Sequence, residues 1–157
     1  MYGRRRSVRR IPRRVFKHFE QNVIPFAGST AYDFGAAVNS VVRYQHDIQL
    51  WSYGVPAMLK NIKIDWGTDS TIYWAIIVFQ QNYGTLNPLM PVSYAPQLYE
   101  PQENVIASGI LDNNDGVRRE YIKCTRKINP GNTLRLLIGG LSSGLTANGI
   151  IKFYNYY

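Results

Sequence analysis

An all-β fold is what the sequence predicts: an eight-stranded double-sheet jelly roll behind a disordered arginine-rich N-terminal arm. Three observations predict it. Beyond residue 17 the chain breaks into short β-branched and aromatic runs separated by clusters of Gly, Pro, Asn, Asp and Ser. No segment keeps a 3.6-residue apolar period over ten or more residues. Ala31 to Val42 alone is ambiguous, and Gly35 weakens a helix there. About eight runs with two long connections suit a pair of packed sheets, whereas a five-stranded oligonucleotide-binding barrel would leave three runs without a place.

Phe19 to Phe26 reads as a first strand, closed by Ala27-Gly28-Ser29. Ser40 to Tyr44 and Asp47 to Trp51 are extended stretches. Met58 to Trp66 is clearer, with Leu59, Ile62, Ile64 and Trp66 set against Lys60, Asn61, Lys63 and Asp65. Gly67 to Ser70 reads as a turn, and the run from Thr71 to Gln81 is expected to complete a hairpin with Met58 to Trp66. That second run is apolar on both faces, so it is expected to be a central strand covered on both sides. Pro88, Pro91, Pro96 and Pro101 place four prolines in fourteen residues and forbid a regular element, so Asn82 to Pro101 is expected to be a long loop. Asn104 to Leu111, Val117 to Ile128, Asn132 to Ile138 and Gly149 to Tyr156 complete the strands. Their separators are Asp112 to Gly116, Asn129-Pro130-Gly131 and a flexible Gly139 to Asn148.

The chain's 157 residues divide into an arm, 1–17, and one domain, 18–157. A domain of that size buries roughly two-thirds of its unfolded surface. The lone cysteine, Cys124, excludes an internal disulfide framework. No stretch approaches the roughly 18 apolar residues of a membrane-spanning helix. Lys17, His18, Glu20, Gln21, Asn22 and Pro25 interrupt the region where a signal peptide would be apolar, so secretion is not expected.

Charge is distributed very unevenly. Arg4, Arg5, Arg6, Arg9, Arg10, Arg13, Arg14 and Lys17 put eight cations and no anion into the first seventeen residues. From His18 onward ten Lys/Arg balance ten Asp/Glu, so the net charge of +8 belongs to the arm. A segment so charged and so poor in apolar residues cannot fold alone, but it can order against a polyanion whose counterions it displaces. Arginine's planar fork suits phosphate oxygens. The arm therefore reads as a nucleic-acid-binding segment, with a nuclear-import signal as the plainer alternative. Arg118, Arg119, Lys123, Arg126 and Lys127 form a second basic cluster along one strand. Arg119, Lys123 and Lys127 share a face with Tyr121; Arg118 and Arg126 share the other with Glu120. Phosphate contact and a solvated strand with salt bridges both fit that cluster.

Catalytic chemistry finds no support. His18 and His46 are the two histidines, and no His/Cys spacing assembles a zinc site, so no metal and no cofactor is expected. Cys124 lies between Lys123 and Thr125, a cationic neighbourhood that could lower its pKa, although a buried structural thiol fits better. Asp112-Asn113-Asn114-Asp115-Gly116 has its glycine one place early for a calcium loop, and Lys123 stands where the terminal glutamate belongs. Neither a nucleophile elbow nor a phosphate loop is present.

Three features together carry a family resemblance. They are the arginine-rich arm, the run Leu98-Tyr99-Glu100-Pro101-Gln102-Glu103-Asn104-Val105 before a basic strand, and the closing Gly149-Ile150-Ile151-Lys152-Phe153-Tyr154. The chain resembles the capsid proteins of small non-enveloped viruses, most closely those of circular, Rep-encoding single-stranded DNA (circovirus-like) viruses. The resemblance spans most of the chain as order and spacing. At 157 residues the chain is shorter than typical shells of that group, which implies clipped surface loops. The resemblance implies a homo-oligomeric icosahedral shell of roughly 60 copies. It also implies a packaged single-stranded genome, location in the virion and passage through the host nucleus. Coat proteins of small RNA satellite viruses share the arm-plus-jelly-roll plan, so DNA and RNA both stay open. Tyr94 and Tyr99, in the proline-rich loop, are candidate subunit contacts, since aromatic anchors dominate interface energetics. Packing of those rings onto their own sheet fits equally. A basic-tailed ribosomal or chromatin protein would carry cations on its body also. A cupin would need clustered histidines, and a lectin has no use for the arm.

Overall fold

The structure is a computed structural model that describes residues 18–30, 32–33, 44–79, 104–112 and 117–157. The arm, the proline-rich loop with Tyr94 and Tyr99, and most of Asp112 to Gly116 lie outside the described residues. Nine strands are described and no helix: β1 (Phe19–Ser29), β2 (Tyr32–Asp33), β3 (Tyr44–Ser52), β4 (Ala57–Thr68), β5 (Ile72–Phe79), β6 (Val105–Leu111), β7 (Arg118–Ile128), β8 (Thr133–Gly140) and β9 (Thr146–Tyr156). β2 has only two residues, and the other eight are the strands the sequence predicts.

A simple rule generates the architecture. The eight long strands form a ribbon folded back on itself, so that β1 pairs with β9, β3 with β8, β4 with β7 and β5 with β6, always antiparallel. The ribbon then wraps, and β4 also pairs with β9 while β5 pairs with β8. Two sheets result, ordered β1-β9-β4-β7 and β2-β3-β8-β5-β6. This is the jelly-roll connectivity.

The core lies between the sheets and is aromatic at its centre. Trp66 on β4 meets Trp74 on β5 edge-on, ring centroids 5.1 Å apart, and Phe26 on β1 closes on Trp66 at 6.1 Å. Trp51 and Phe153 repeat the arrangement at 6.2 Å. Leu59, Ile62, Ile64, Ile76, Leu134, Leu136 and Ile151 fill the rest and are fully buried. β5 is buried on both faces, with Ala75 and Ile77 joining Leu137 in a smaller cluster on the far side of its sheet.

Asn61 explains a spacing peculiar to β4. Leu59 and Ile62 both face the core although they stand three positions apart, so one residue must be extra. The register slips between Lys60 and Lys63 against β9, and Asn61 adopts φ 47 there. Asparagine tolerates this left-handed geometry better than most side chains. The resulting bulge resets the alternation so that Ile62, Ile64 and Trp66 stay inside.

The predicted hairpin of Met58 to Trp66 with the following run does not form, because β4 and β5 lie in opposite sheets. Each strand has an inward apolar face, and pairing them side by side would leave both facing the same way. The four Cα steps from Thr68 to Ile72 reach about 13 Å, enough to cross sheets about 10 Å apart. The corner is tied down where Asp69 Oδ1 accepts the Thr146 N–H at 3.2 Å and Thr68 Oγ1 donates to the Thr146 carbonyl at 2.9 Å.

Two further boundaries differ from expectation. β1 continues through Ala27 and Gly28 to Ser29, and β8 and β9 extend into the supposedly flexible Gly139 to Asn148, leaving only 141–145 as a turn. Thr30, fully buried, clamps that turn: its hydroxyl donates to the Ser142 carbonyl at 2.8 Å and accepts the Leu145 N–H at 3.0 Å. Gly149 is paired with Trp66, and a Cβ on it would lie 2.7 Å from the Trp66 Cβ and close to the Asp65 carbonyl. Gly149→Ala is therefore expected to cost about 1–3 kcal/mol, read as a lowered urea midpoint at unchanged slope.

Candidate nucleic-acid interface

The outward face of the four-stranded sheet can be read row by row from the strand register. Phe19, Tyr156, Met58 and Lys127 form the first row across all four strands. Gln21, Tyr154, Lys60 and Thr125 form the next, then Val23, Lys152, Lys63 and Tyr121, then Pro25, Ile150, Asp65 and Arg119. Lys123 fits between the second and third rows on β7, where the register slips. The face thus gathers Lys60, Lys63, Arg119, Lys123, Lys127 and Lys152. Those six cations face the single carboxylate of Asp65, a net charge of +5 among the described residues.

Alternation on each strand, with core side chains inward, aims these cations outward. Of the six, only Arg119 makes an ion pair among the described residues: its Nε donates to Asp65 Oδ1 at 2.5 Å. That hydrogen bond, reinforced by the charges of Arg119, Lys63 and Lys152, holds the Asp65 carboxyl below the usual carboxylate range. Asp65 therefore stays ionised at neutral and mildly acidic pH, and the face keeps its excess of +5 there.

Aromatic rings interleave with the cations. Phe19, 52% exposed, stacks on Tyr154 with centroids 5.4 Å apart and leans on Tyr156 at 5.2 Å. Lys60 Nζ sits 4.9 Å from the centroid of the Tyr156 ring. Tyr121, on the cationic face of β7, is 64% exposed.

The point where the arm joins the body is firmly anchored at the end of this face. His18 and Tyr157 exchange backbone hydrogen bonds of 3.4 and 3.0 Å. Beneath them runs a chain of polar contacts. Tyr53 donates its hydroxyl to the buried Asn155 Oδ1 at 3.0 Å, Asn155 Nδ2 donates to the Tyr157 hydroxyl at 3.4 Å, and that hydroxyl donates to Glu20 Oε2 at 3.0 Å. Burial raises the Tyr53 phenol, and burial plus the Glu20 carboxylate raises that of Tyr157, so both remain protonated donors.

The second basic cluster divides as its alternation predicts. Arg119, Lys123 and Lys127 are exposed on the outer face. Arg118 and Arg126 point the other way, half-buried, and Arg118 Nε pairs with Glu120 Oε1 at 2.7 Å. The structure thus does not bring Arg118 and Arg126 together with the outer cations. Cys124 shares their inward face, and burial pushes its thiol up rather than down, which overturns the reactive reading and fits a structural thiol. Among the described residues no group of three or more His, Cys, Asp or Glu could hold a metal ion. Sequence reasoning missed Lys60, Lys63 and Lys152, whose signal was their place opposite core residues on β4 and β9. The outer face of the other sheet differs in character, since Arg135 is held by Asp47 at 2.8 Å and lies over the Phe79 ring.

No family model matches the sequence, and no curated protein is similar to it. Solved structures with a similar fold include the crystal structure of the infectious bursal disease virus VP2 subviral particle. It is 8% identical with a TM-score of 0.37, covering 90% of this chain and 33% of that one. The structure of the Gx strain of the same virus matches at 8% identity and a TM-score of 0.31, over 88% of this chain and 33% of that one. The chain spans about a third of the length of these neighbours.

Proposed function

We propose that this chain is the coat protein of a small non-enveloped virus, structural rather than catalytic, that assembles with copies of itself and packages single-stranded nucleic acid. The observation that carries the reading is where the positive charge lies: in the arm, and on one outer face of a jelly roll whose first row of side chains sits where the arm joins. The circovirus-like resemblance favours a DNA genome, roughly 60 subunits and passage through the nucleus, with the arm as import signal as well as packaging segment. Arg4, Arg5, Arg6, Arg9, Arg10, Arg13, Arg14 and Lys17 take genome phosphates in this reading. Tyr94 and Tyr99 supply subunit contacts from a loop whose prolines restrict the backbone and lower the ordering cost of association.

Gel filtration and electron microscopy of the purified full-length protein test the proposal. Closed particles of megadalton size, carrying nuclease-protected nucleic acid, are the expected result. A monomer or small oligomer under all salt conditions would overturn it, and protection of RNA alone would favour the satellite-virus plan.

A further inference from the structure

The geometry points to the outer face of the four-stranded sheet as a second binding surface, one for unpaired nucleic acid continuous with the arm. Phosphates would lie along Lys60, Lys63 and Lys152, and bases against Phe19 and its tyrosine partners. This deepens the coat-protein reading and rests on it for the identity of the polyanion. Six cations against one carboxylate are too unbalanced for a face that meets only water, since like charges on neighbouring strands repel. An anionic partner offsets that repulsion. The aromatic rings narrow its class. Phe19 is 52% and Tyr121 64% exposed, and a phosphate backbone alone gives such rings nothing to stack on. Unpaired bases do, while a duplex hides its base faces. Cations two residues apart on a strand are spaced by about 7 Å and neighbouring strands by about 4.8 Å, within reach of successive phosphates of one extended strand.

Position supports the same conclusion. Phe19 begins the first row of the face, one residue after His18, where the arm ends. A strand held by the arm is thereby delivered to Phe19 and Tyr156 without leaving the protein surface. The buried chain Tyr53–Asn155–Tyr157–Glu20 fixes that junction from below. Sequence-wide charge counting conceals the site, because Asp65 alone of the described acids shares the face with these lysines.

Full-length protein titrated with fluorescein-labelled oligothymidylate, and with a duplex of equal length, tests the assignment. The triple variant Lys60→Gln, Lys63→Gln, Lys152→Gln should bind the single strand more weakly, its log–log salt slope shallower by about 2. Phe19→Ala should weaken single-strand binding on the order of tenfold, with the slope unchanged and the duplex little affected. Melting temperatures close to the parent's exclude misfolding, since the substituted groups are on the outer face. An unchanged slope in the triple variant overturns the inference, as does an equal loss on duplex and single strand after Phe19→Ala. Unchanged oligonucleotide binding with failed particle assembly also overturns it and makes the face a contact between copies. The two readings fail separately. Normal particles with an unaltered slope sink the platform alone, while the expected slope change in a protein that never assembles supports the platform and sinks the coat.

Discussion

Trp66→Ala is expected to lower the stability of the isolated subunit by about 3–5 kcal/mol, because a large ring is removed from a site that cannot collapse. Trp66 is 1% exposed and sits edge-on between Trp74 at 5.1 Å and Phe26 at 6.1 Å, joining strands of both sheets. Against a typical total of about 5–15 kcal/mol, that loss is a large fraction of what holds a single domain together. Trp66→Phe should cost much less. It keeps a ring in the cluster, and the indole N–H it removes finds no hydrogen-bond partner among the described residues. Urea denaturation of both variants under dissociating conditions measures the difference. A Trp66→Ala loss below about 1 kcal/mol would contradict the packing described for the core.

The second large effect concerns the arm. Replacing Arg4, Arg5, Arg6, Arg9, Arg10, Arg13, Arg14 and Lys17 with glutamine removes the whole formal charge excess of +8. Eight contacts to a single strand correspond to a log–log salt slope of about −5 to −6. Between 50 and 200 mM salt that slope is worth on the order of a thousandfold in affinity. The neutralised arm should lose this component and yield particles without nucleic acid, while the subunit's melting temperature stays unchanged. The slope that remains would belong to the outer sheet face. Full retention of the parent slope would move the principal binding site from the arm to the body.

Strand alternation carried most of the fold, since period-two patterning shows directly which residues face inward. Even the bulge at Asn61 left a trace, in two core residues three positions apart. Alternation is silent, however, on which sheet a strand joins. Met58 to Trp66 and the following run each have a buried face, and a short link between them serves a hairpin or a crossing between layers equally well. Glycines misled in a different way. Gly139 and Gly140 read as flexible, yet both lie in β8. A Cβ on Gly140 would crowd the tip of the Leu145 side chain, which packs against this end of β8. The charged face was hidden by summation: ten cations and ten acids from His18 onward give zero, and only the register shows that six of those cations share one surface.

The pairing of β1 with β9 has a bearing on when the protein becomes a protein. During synthesis the arm and β1 leave the ribosome before the other strands, but β1 has no partner until residues 146–156 have also emerged. Likewise β3 waits for β8, and β4 for β7 and β9. Among the long strands, β5 and β6 can pair before β7, β8 and β9 exist, and even β5 still waits for β8 on its other edge. Such long-range pairing makes folding slow, and the two sheets cannot close until β8 and β9 have emerged. On the proposed reading, the arginine-rich segment would be available to a polyanion throughout that interval. As a coat protein, the nascent chain would hold its affinity for nucleic acid well before it has a surface with which to recognise another copy of itself.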